Sequence, residues 1–262
     1  MSMPRRLREL LAAPGIIPTF GAHDAFSARL LEQAGIPMLF LGGFGVAASS
    51  FGWPDVGLVT LSEMAETVRR VTNRLAIPLV ADGDTGHGDL HNVARTVRDF
   101  EAAGAAGILL EDQVSPKRCG HFAGKDVVSR DEMLRKLEAA LNARRDPDFV
   151  LFARTDARAI HGIDDAIARA QAYAAAGADV CFVEAPQSLD ELARIPREIA
   201  RPQLANMLTG GATPIQSTAD LERLGYKIAV CPIETLLATG TVIRQLAAAL
   251  LTTGRVDDAV AM

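Results

Sequence analysis

"FEAAGAAGILLEDQ", residues 100–113, holds the architecture in miniature. A helical stretch stops at small residues and Gly104, a short apolar run follows, and the run ends in Glu111 and Asp112. Glycine at the stop suits the left-handed C-cap of a helix. The run is continuously apolar rather than alternating, as in strands covered on both faces of a parallel sheet. The same phrase recurs as "LLEQAGIPMLFLGG" (30–43), "AYAAAGADVCFVEAP" (172–186) and "LERLGYKIAVCPIE" (221–234), with Gly35, Gly177 and Gly225 at the stops.

Four further strand candidates are "GIIPTFGAHDA", "IPLVADGDTGHG", "FVLFARTDA" and "PQLANMLTGG". The pattern predicts helices over 25–34, 62–75, 92–103, 130–144, 163–176, 189–199, 218–224 and 235–251. Eight alternating strand and helix units in 262 residues are the count of an α/β single-domain (β/α)8 TIM barrel over 1–262, with a doubly wound open sheet as the alternative. No linker or low-complexity segment divides the chain.

Composition narrows the partners. With 27 basic against 32 acidic residues the net charge is -5, which argues against nucleic acid or an anionic membrane as partner. No apolar run approaches the roughly 20 residues of a membrane span, and "MSMPRRLREL" leads into no secretion signal. Cys119, Cys181 and Cys231 are scattered and form no disulfide framework, as expected of a cytoplasmic protein.

The strand ends read Asp82-Gly83-Asp84, Glu111-Asp112, Arg154-Thr155-Asp156, Glu184 and Asn206. In a barrel of this class they share the rim that carries the active site. One acidic strand end is readily a helix N-cap, as Asp112 or Asp156 could be; five in succession point to a site. "ADGDTGHGD" opens like a calcium loop but has Val93 where a bidentate Glu is needed. Period-two alternation places Asp82 and Asp84 on one side of the strand. With Glu111 they form an all-oxygen donor set suited to Mg2+ or Mn2+ rather than zinc.

"SPKRCGHFAGK", residues 115–125, carries a thiol and an imidazole behind two cations. No second Cys or His pair stands at zinc-ligand spacing. Lys117 and Arg118 favour the thiolate of Cys119, and glycines at 120 and 124 permit movement, which describes a gated acid or nucleophile. "GGFGVA", residues 42–47, approximates a dinucleotide fingerprint, with Glu66 near ribose distance. Gly52 and Pro54 would cut its helix at once. The glycines then read as close backbone approach to a small anionic ligand.

These residues together resemble the isocitrate lyase/phosphoenolpyruvate mutase superfamily, from about Gly15 to Leu251, through "GWPDVGL", "ADGDTGHG", "LEDQVSPKRCGH", "ARTDA", "FVEAP" and "ANMLTGG". "KRCGH" resembles the lyase branch, where the thiol is the catalytic acid. "LEDQ", "GKDVV" and "ARTDARAIHG" look most like the 2-alkylmalate lyases, a group that includes the dimethylmalate lyases and the petal death protein. The resemblance implies Mg2+ near Asp82, Asp84 and Glu111, with Asp55 acting through water. It implies backbone donors at Gly42, Gly43 and Phe44 for an enolate, and Cys119 and Gly120 in the loop over the substrate. Arg154 would neutralise a carboxylate, while His121, Glu184 and Asn206 orient the second one. It further implies a small dicarboxylate substrate and a homo-oligomer, dimer or tetramer.

The chain departs from methylisocitrate lyases at Phe40 and Gly42, where those have Tyr and Ser, and at Leu237, where they have Arg. Leu208 replaces a hydroxyl residue of the same pocket, which speaks against a tricarboxylate substrate. Glu234 stands where a small hydroxyl residue is usual, which speaks against oxaloacetate hydrolysis. The sequence also stops at Met262, short of the family's extra C-terminal helices. Oxaloacetate hydrolysis or decarboxylation and methylisocitrate- or phosphonopyruvate-type chemistry stay as alternatives.

Overall fold

The structure is a computed structural model that describes residues 1–118 and 124–257. Eight parallel strands form one sheet in the order β6-β5-β4-β3-β2-β1-β8-β7. They are β1 Ile17–Ala22, β2 Leu39–Leu41, β3 Leu79–Asp82, β4 Gly107–Glu111, β5 Val150–Thr155, β6 Val180–Val183, β7 Leu204–Asn206 and β8 Ile228–Cys231. A parallel bridge between Cys181 and Gln203 joins the two outer strands, so the sheet is a nearly closed barrel. The expected TIM barrel is found, and the open-sheet alternative falls.

All eight outer helices follow the sequence pattern closely; the first seven are α2 Ala25–Gln33, α4 Leu61–Thr72, α5 Leu90–Ala102, α6 Arg130–Ala143, α8 Ile163–Ala175, α9 Leu189–Glu198 and α10 Thr218–Leu224. Gly35, Gly104, Gly177 and Gly225 all have positive φ, as the C-cap reading requires. Three short helices were not foreseen. α1, Met3–Ala12, starts at a Ser2 cap and is anchored by Arg8, which donates to Asp179 at 3.0 and 3.2 Å. α3, Gly43–Val46, does open inside the glycine stretch and continues as one π-helical turn, Ala47–Phe51, before Gly52 ends it. α7, Arg158–His161, is a single turn after β5.

The core has two layers. Inside the barrel, Ile17, Met38, Phe40, Val80, Phe152 and Val180 pack with Leu7 of α1, which plugs the floor. Between barrel and helices, residues such as Leu110, Leu137, Val97 and Tyr173 form the larger cluster.

The eighth outer helix, α11 Glu234–Thr253, stands apart: an 18-residue stretch of it has a mean hydropathy of 1.3, and none of that stretch is buried. By length and composition it could cross a membrane, which corrects the expectation that no apolar run approaches a span. Arg244 sits at its middle, a position that costs roughly 3 kcal/mol in a bilayer. Its first turn is bolted to the barrel, where Thr235 Oγ1 donates to the Gly21 carbonyl at 2.7 Å.

Candidate active site

The C-terminal ends of the strands surround a cavity of about 300 Å³. Asp55, Asp82, Glu111, Arg154, Glu184 and Asn206 face it, so most of the rim residues expected from sequence do converge. Gly42, Gly43 and Phe44 line it as well.

Asp82 ends β3 and braces the neighbouring strand: Gly43 N–H donates to its Oδ2 and Asp84 N–H to its Oδ1, both at 3.0 Å. Asp84 has φ 48, a left-handed conformation that aspartate tolerates with help from a local side-chain bond. Strand alternation therefore does not bring Asp84 beside Asp82, as the sequence reading had it; a turn closed by Asp82 does. The Gly43 amide is also committed to Asp82, which takes it from the three donors expected there for a ligand.

Lys117 has partners that local sequence does not reveal. It is 6% exposed, and its Nζ lies 2.6 Å from Asp55 Oδ1 and 2.7 Å from Asp84 Oδ1. Burial disfavours its charge, but Asp84, Asp82, Glu111 and Asp55 hold the ammonium well above the ordinary lysine value. Burial also pushes Asp84 up to about 7, against the pull of Lys117. Its partner Asp55 lies 62 residues away in the chain, while its expected neighbour Cys119 is outside the described residues.

Glu111 and Arg154 are register partners on β4 and β5, with Arg154 Nε 3.3 Å from Glu111 Oε2. Glu111 Oε1 is buried and has no hydrogen-bond partner among the described residues. Burial drives the Glu111 carboxyl well above its usual range despite Arg154. Arg154 donates through Nε and Nη2 to Asp156 at 2.8 and 3.0 Å, and its Nη2 lies 3.1 Å from Glu184. Asn206 Nδ2 donates to Glu184 Oε1 at 3.3 Å, so one polar chain crosses β5, β6 and β7. Asp156 is fully buried; burial would raise it, but Arg154 and Lys125 hold it down at about 2.

Asp112 is not an N-cap. It accepts from Thr155 Oγ1 at 2.7 Å, from the Asp156 amide at 2.9 Å and from Tyr173 OH at 2.8 Å, fixing the end of β5 that presents Arg154. Neither Asp112 nor Lys125 could be assigned from sequence, because their partners lie on other strands and helices.

Cys119, Gly120 and His121 lie outside the described residues. The segment that carries them is anchored on both sides. Val114 N–H donates to Asp126 O and Val128 N–H to Asp112 O, both at 2.8 Å, and Gln113 pairs with Val127 in an antiparallel bridge. Arg118 N–H donates to Gln113 Oε1 at 2.9 Å before the tip, and Lys125 Nζ donates to Asp156 at 2.7 Å after it.

Leu208 lines the cavity, but Leu237 does not and is 45% exposed. Glu234 is turned away too: its Oε1 accepts from the Thr209 amide at 2.8 Å and its Oε2 from the Ile233 amide at 3.1 Å. Glu234 does not itself line the cavity, but both amides it holds belong to residues that do, Thr209 and Ile233, so its carboxylate fixes one stretch of the wall.

As the side chains stand, no three carboxylate, imidazole or thiol groups among the described residues are gathered as a metal centre. The donors nevertheless suit a hard divalent cation. They are all oxygen, Glu111 Oε1 has no hydrogen-bond partner among the described residues, and Asp55 and Asp84 already gather about a positive charge, the Lys117 ammonium.

The family model described as phosphoenolpyruvate phosphomutase matches residues 7–251. Among curated relatives, the 2,3-dimethylmalate lyase of Eubacterium barkeri is 44% identical over 236 residues, spanning 90% of this chain and 82% of the relative. A 2-methylisocitrate lyase of Aeropyrum pernix is 43% identical, spanning 92% and 78%. Among solved structures, oxaloacetate acetylhydrolase in complex with 3,3-difluorooxalacetate superposes with a TM-score of 0.93 at 36% identity, over 97% of this chain and 87% of that one. Phosphonopyruvate hydrolase in complex with oxalate and Mg2+ gives 0.88 at 30% identity, over 100% and 91%. The chain belongs to the phosphoenolpyruvate mutase/isocitrate lyase superfamily and is a carbon–carbon lyase.

Proposed function

We propose that the enzyme cleaves a 2-alkylmalate-type dicarboxylate to a 2-oxo acid and a short carboxylic acid. The observation that carries this reading is the cavity itself: a small space rimmed by carboxylates, entered by Arg154, and walled on one side by Leu208. Asp82, Asp84 and Glu111, with Asp55 through water, would hold Mg2+ or Mn2+. When bound, the ion polarises the 2-hydroxy acid end and offsets the charge of the enolate. The phosphonopyruvate hydrolase complex with Mg2+ supports that assignment.

The 2-hydroxyl gives its proton to a carboxylate of the rim, and the alkoxide becomes the C2 carbonyl as the C2–C3 bond breaks. The electron pair of that bond moves onto C3 as an aci-carboxylate. The Cys119 thiol gives its proton to C3 and is left as thiolate, and the released 2-oxo acid takes the C2 carbon. Arg154 neutralises a substrate carboxylate while staying fixed by Asp156. Glu184, Asn206, His121 and Gly120 orient the other end, with Gly42 and Phe44 as backbone donors.

Oxaloacetate hydrolysis is the second reading. Glu234 was the residue that spoke against it, and its carboxylate is occupied with Thr209. A product screen by NMR over 2-methylmalate, 2,3-dimethylmalate, methylisocitrate and oxaloacetate, with Mg2+ and with EDTA, separates the readings. The alkylmalates should give the largest kcat/KM and EDTA should stop turnover. Methylisocitrate should be slower, since a third carboxylate against Leu208 costs several kcal/mol of desolvation. Preferred cleavage of oxaloacetate, or full turnover in EDTA, would defeat the assignment. Cys119→Ser should lower turnover by about 10²–10⁴, the range for a positioned general acid.

The reading includes a cytoplasmic homo-oligomer, dimer or tetramer. The exposed apolar face of α11, with Ile243 60% and Leu251 87% exposed, supports a second copy as its cover. Sedimentation velocity showing only monomer at micromolar concentration would remove this part.

A further inference from the structure

We propose that the Lys117 ammonium and a divalent cation compete for the same carboxylate oxygens, so that Lys117 sets how tightly the site takes its metal. The inference rests on the metal reading above and goes further in giving one residue control of affinity. Lys117 Nζ bridges Asp55 and Asp84 at 2.6 and 2.7 Å, with both carboxylates almost buried at 9% and 13% side-chain exposure. The approach is possible because residue 43 is glycine: a Cβ there would stand 3.3 Å from both Asp84 Oδ1 and Lys117 Nζ.

A small hard ion binds carboxylate oxygen at about 2.0–2.1 Å. An ion on Asp84 Oδ1 would therefore stand within about 5 Å of an ammonium still 2.7 Å from that oxygen. Like charges that close in a buried site repel strongly. The ammonium must give up Asp84, and Asp55 is the arm left to hold it. Glu111 Oε1, buried and unbonded, is the oxygen that gains most from the ion. Lys117 precedes Cys119 by two residues in the chain, so the arrival of metal is registered next to the proposed acid.

Calorimetric titration of Mg2+ into the wild type, Lys117→Met and Lys117→Arg tests this. Lys117→Met should bind Mg2+ at least about tenfold more tightly, and Lys117→Arg, which keeps the charge, should not. Equal or weaker binding by Lys117→Met overturns the competition. Because that variant could fail to fold, the wild type supplies a second measurement: amine-reactive labelling of Lys117, read by mass spectrometry with and without Mg2+. Labelling should rise several-fold with Mg2+ as the ammonium leaves Asp84. Unchanged or reduced labelling overturns the proposal. A wild type that binds no Mg2+ at all removes the metal reading as well, an outcome distinct from equal affinities.

Discussion

At the floor of the barrel Leu7 of α1 is fully buried with Ile17, Val150 and Ile228, while at the rim Glu111, Asp156 and Arg154 are buried against one another. The floor gains from removing apolar surface from water, a contribution indifferent to pH. The rim pays desolvation for each charge and recovers it only through geometry, so every member depends on its neighbours and on the protons they carry. One barrel therefore holds a stable end and a reactive end, built on opposite physics.

The largest effect expected is from Arg154→Met, which removes the cation shared by Asp156, Glu184 and Glu111. Stability should fall by about 3–5 kcal/mol at pH 8, measured by denaturant unfolding. The deficit should shrink toward pH 5 as the carboxylates left behind take up protons. Leu7→Ala should cost about 3 kcal/mol by the same measurement, equally at both pH values. A pH-independent loss in the first variant, or a pH-dependent one in the second, would erase the contrast.

A smaller effect sharpens it. Asp156 is held at about 2 from 3.8, so it stabilises the fold above pH 3.8 and that stabilisation disappears as pH falls through about 2. The contribution is about 2 kcal/mol. Asp156→Asn should flatten the acid limb of an unfolding-versus-pH curve in that window. An unchanged limb would show that the bonds from Arg154 and Lys125 do not favour the ionised form. The smallest effect is reserved for the outer surface: Glu66→Gln should leave the thermal midpoint unmoved, because its pairs with Arg69 and Arg70 are solvent-exposed.

The barrel was legible because one phrase, helix to glycine to apolar run, repeats, and each glycine marks a real helix stop. α1 escaped because it precedes the first repeat and its basic residues look like a tail, although Leu7 is its working face. α3 escaped because glycines and a nearby proline argue against any helix, yet four residues suffice for one turn. At the rim, residue types were readable but pairings were not. Asp82 and Asp84 do lie together, but through a turn rather than strand alternation, and the pairing of Lys117 with Asp55 crosses too much sequence to be read from its neighbours. Leu237 was placed in the pocket from resemblance alone, and the helix that carries it turns it outward.

The stem formed by residues 112–118 and 124–128 has a consequence for how such an enzyme changes over time. Its two posts are held, among the described residues, by main-chain bonds and by Lys125 on Asp156. The entropy of closing a short span depends mainly on its ends and length, with only about 0.6 kcal/mol for each doubling. A change of length between the posts therefore costs the fold little, while the posts themselves stay tied to the strand ends that carry Asp112 and Asp156.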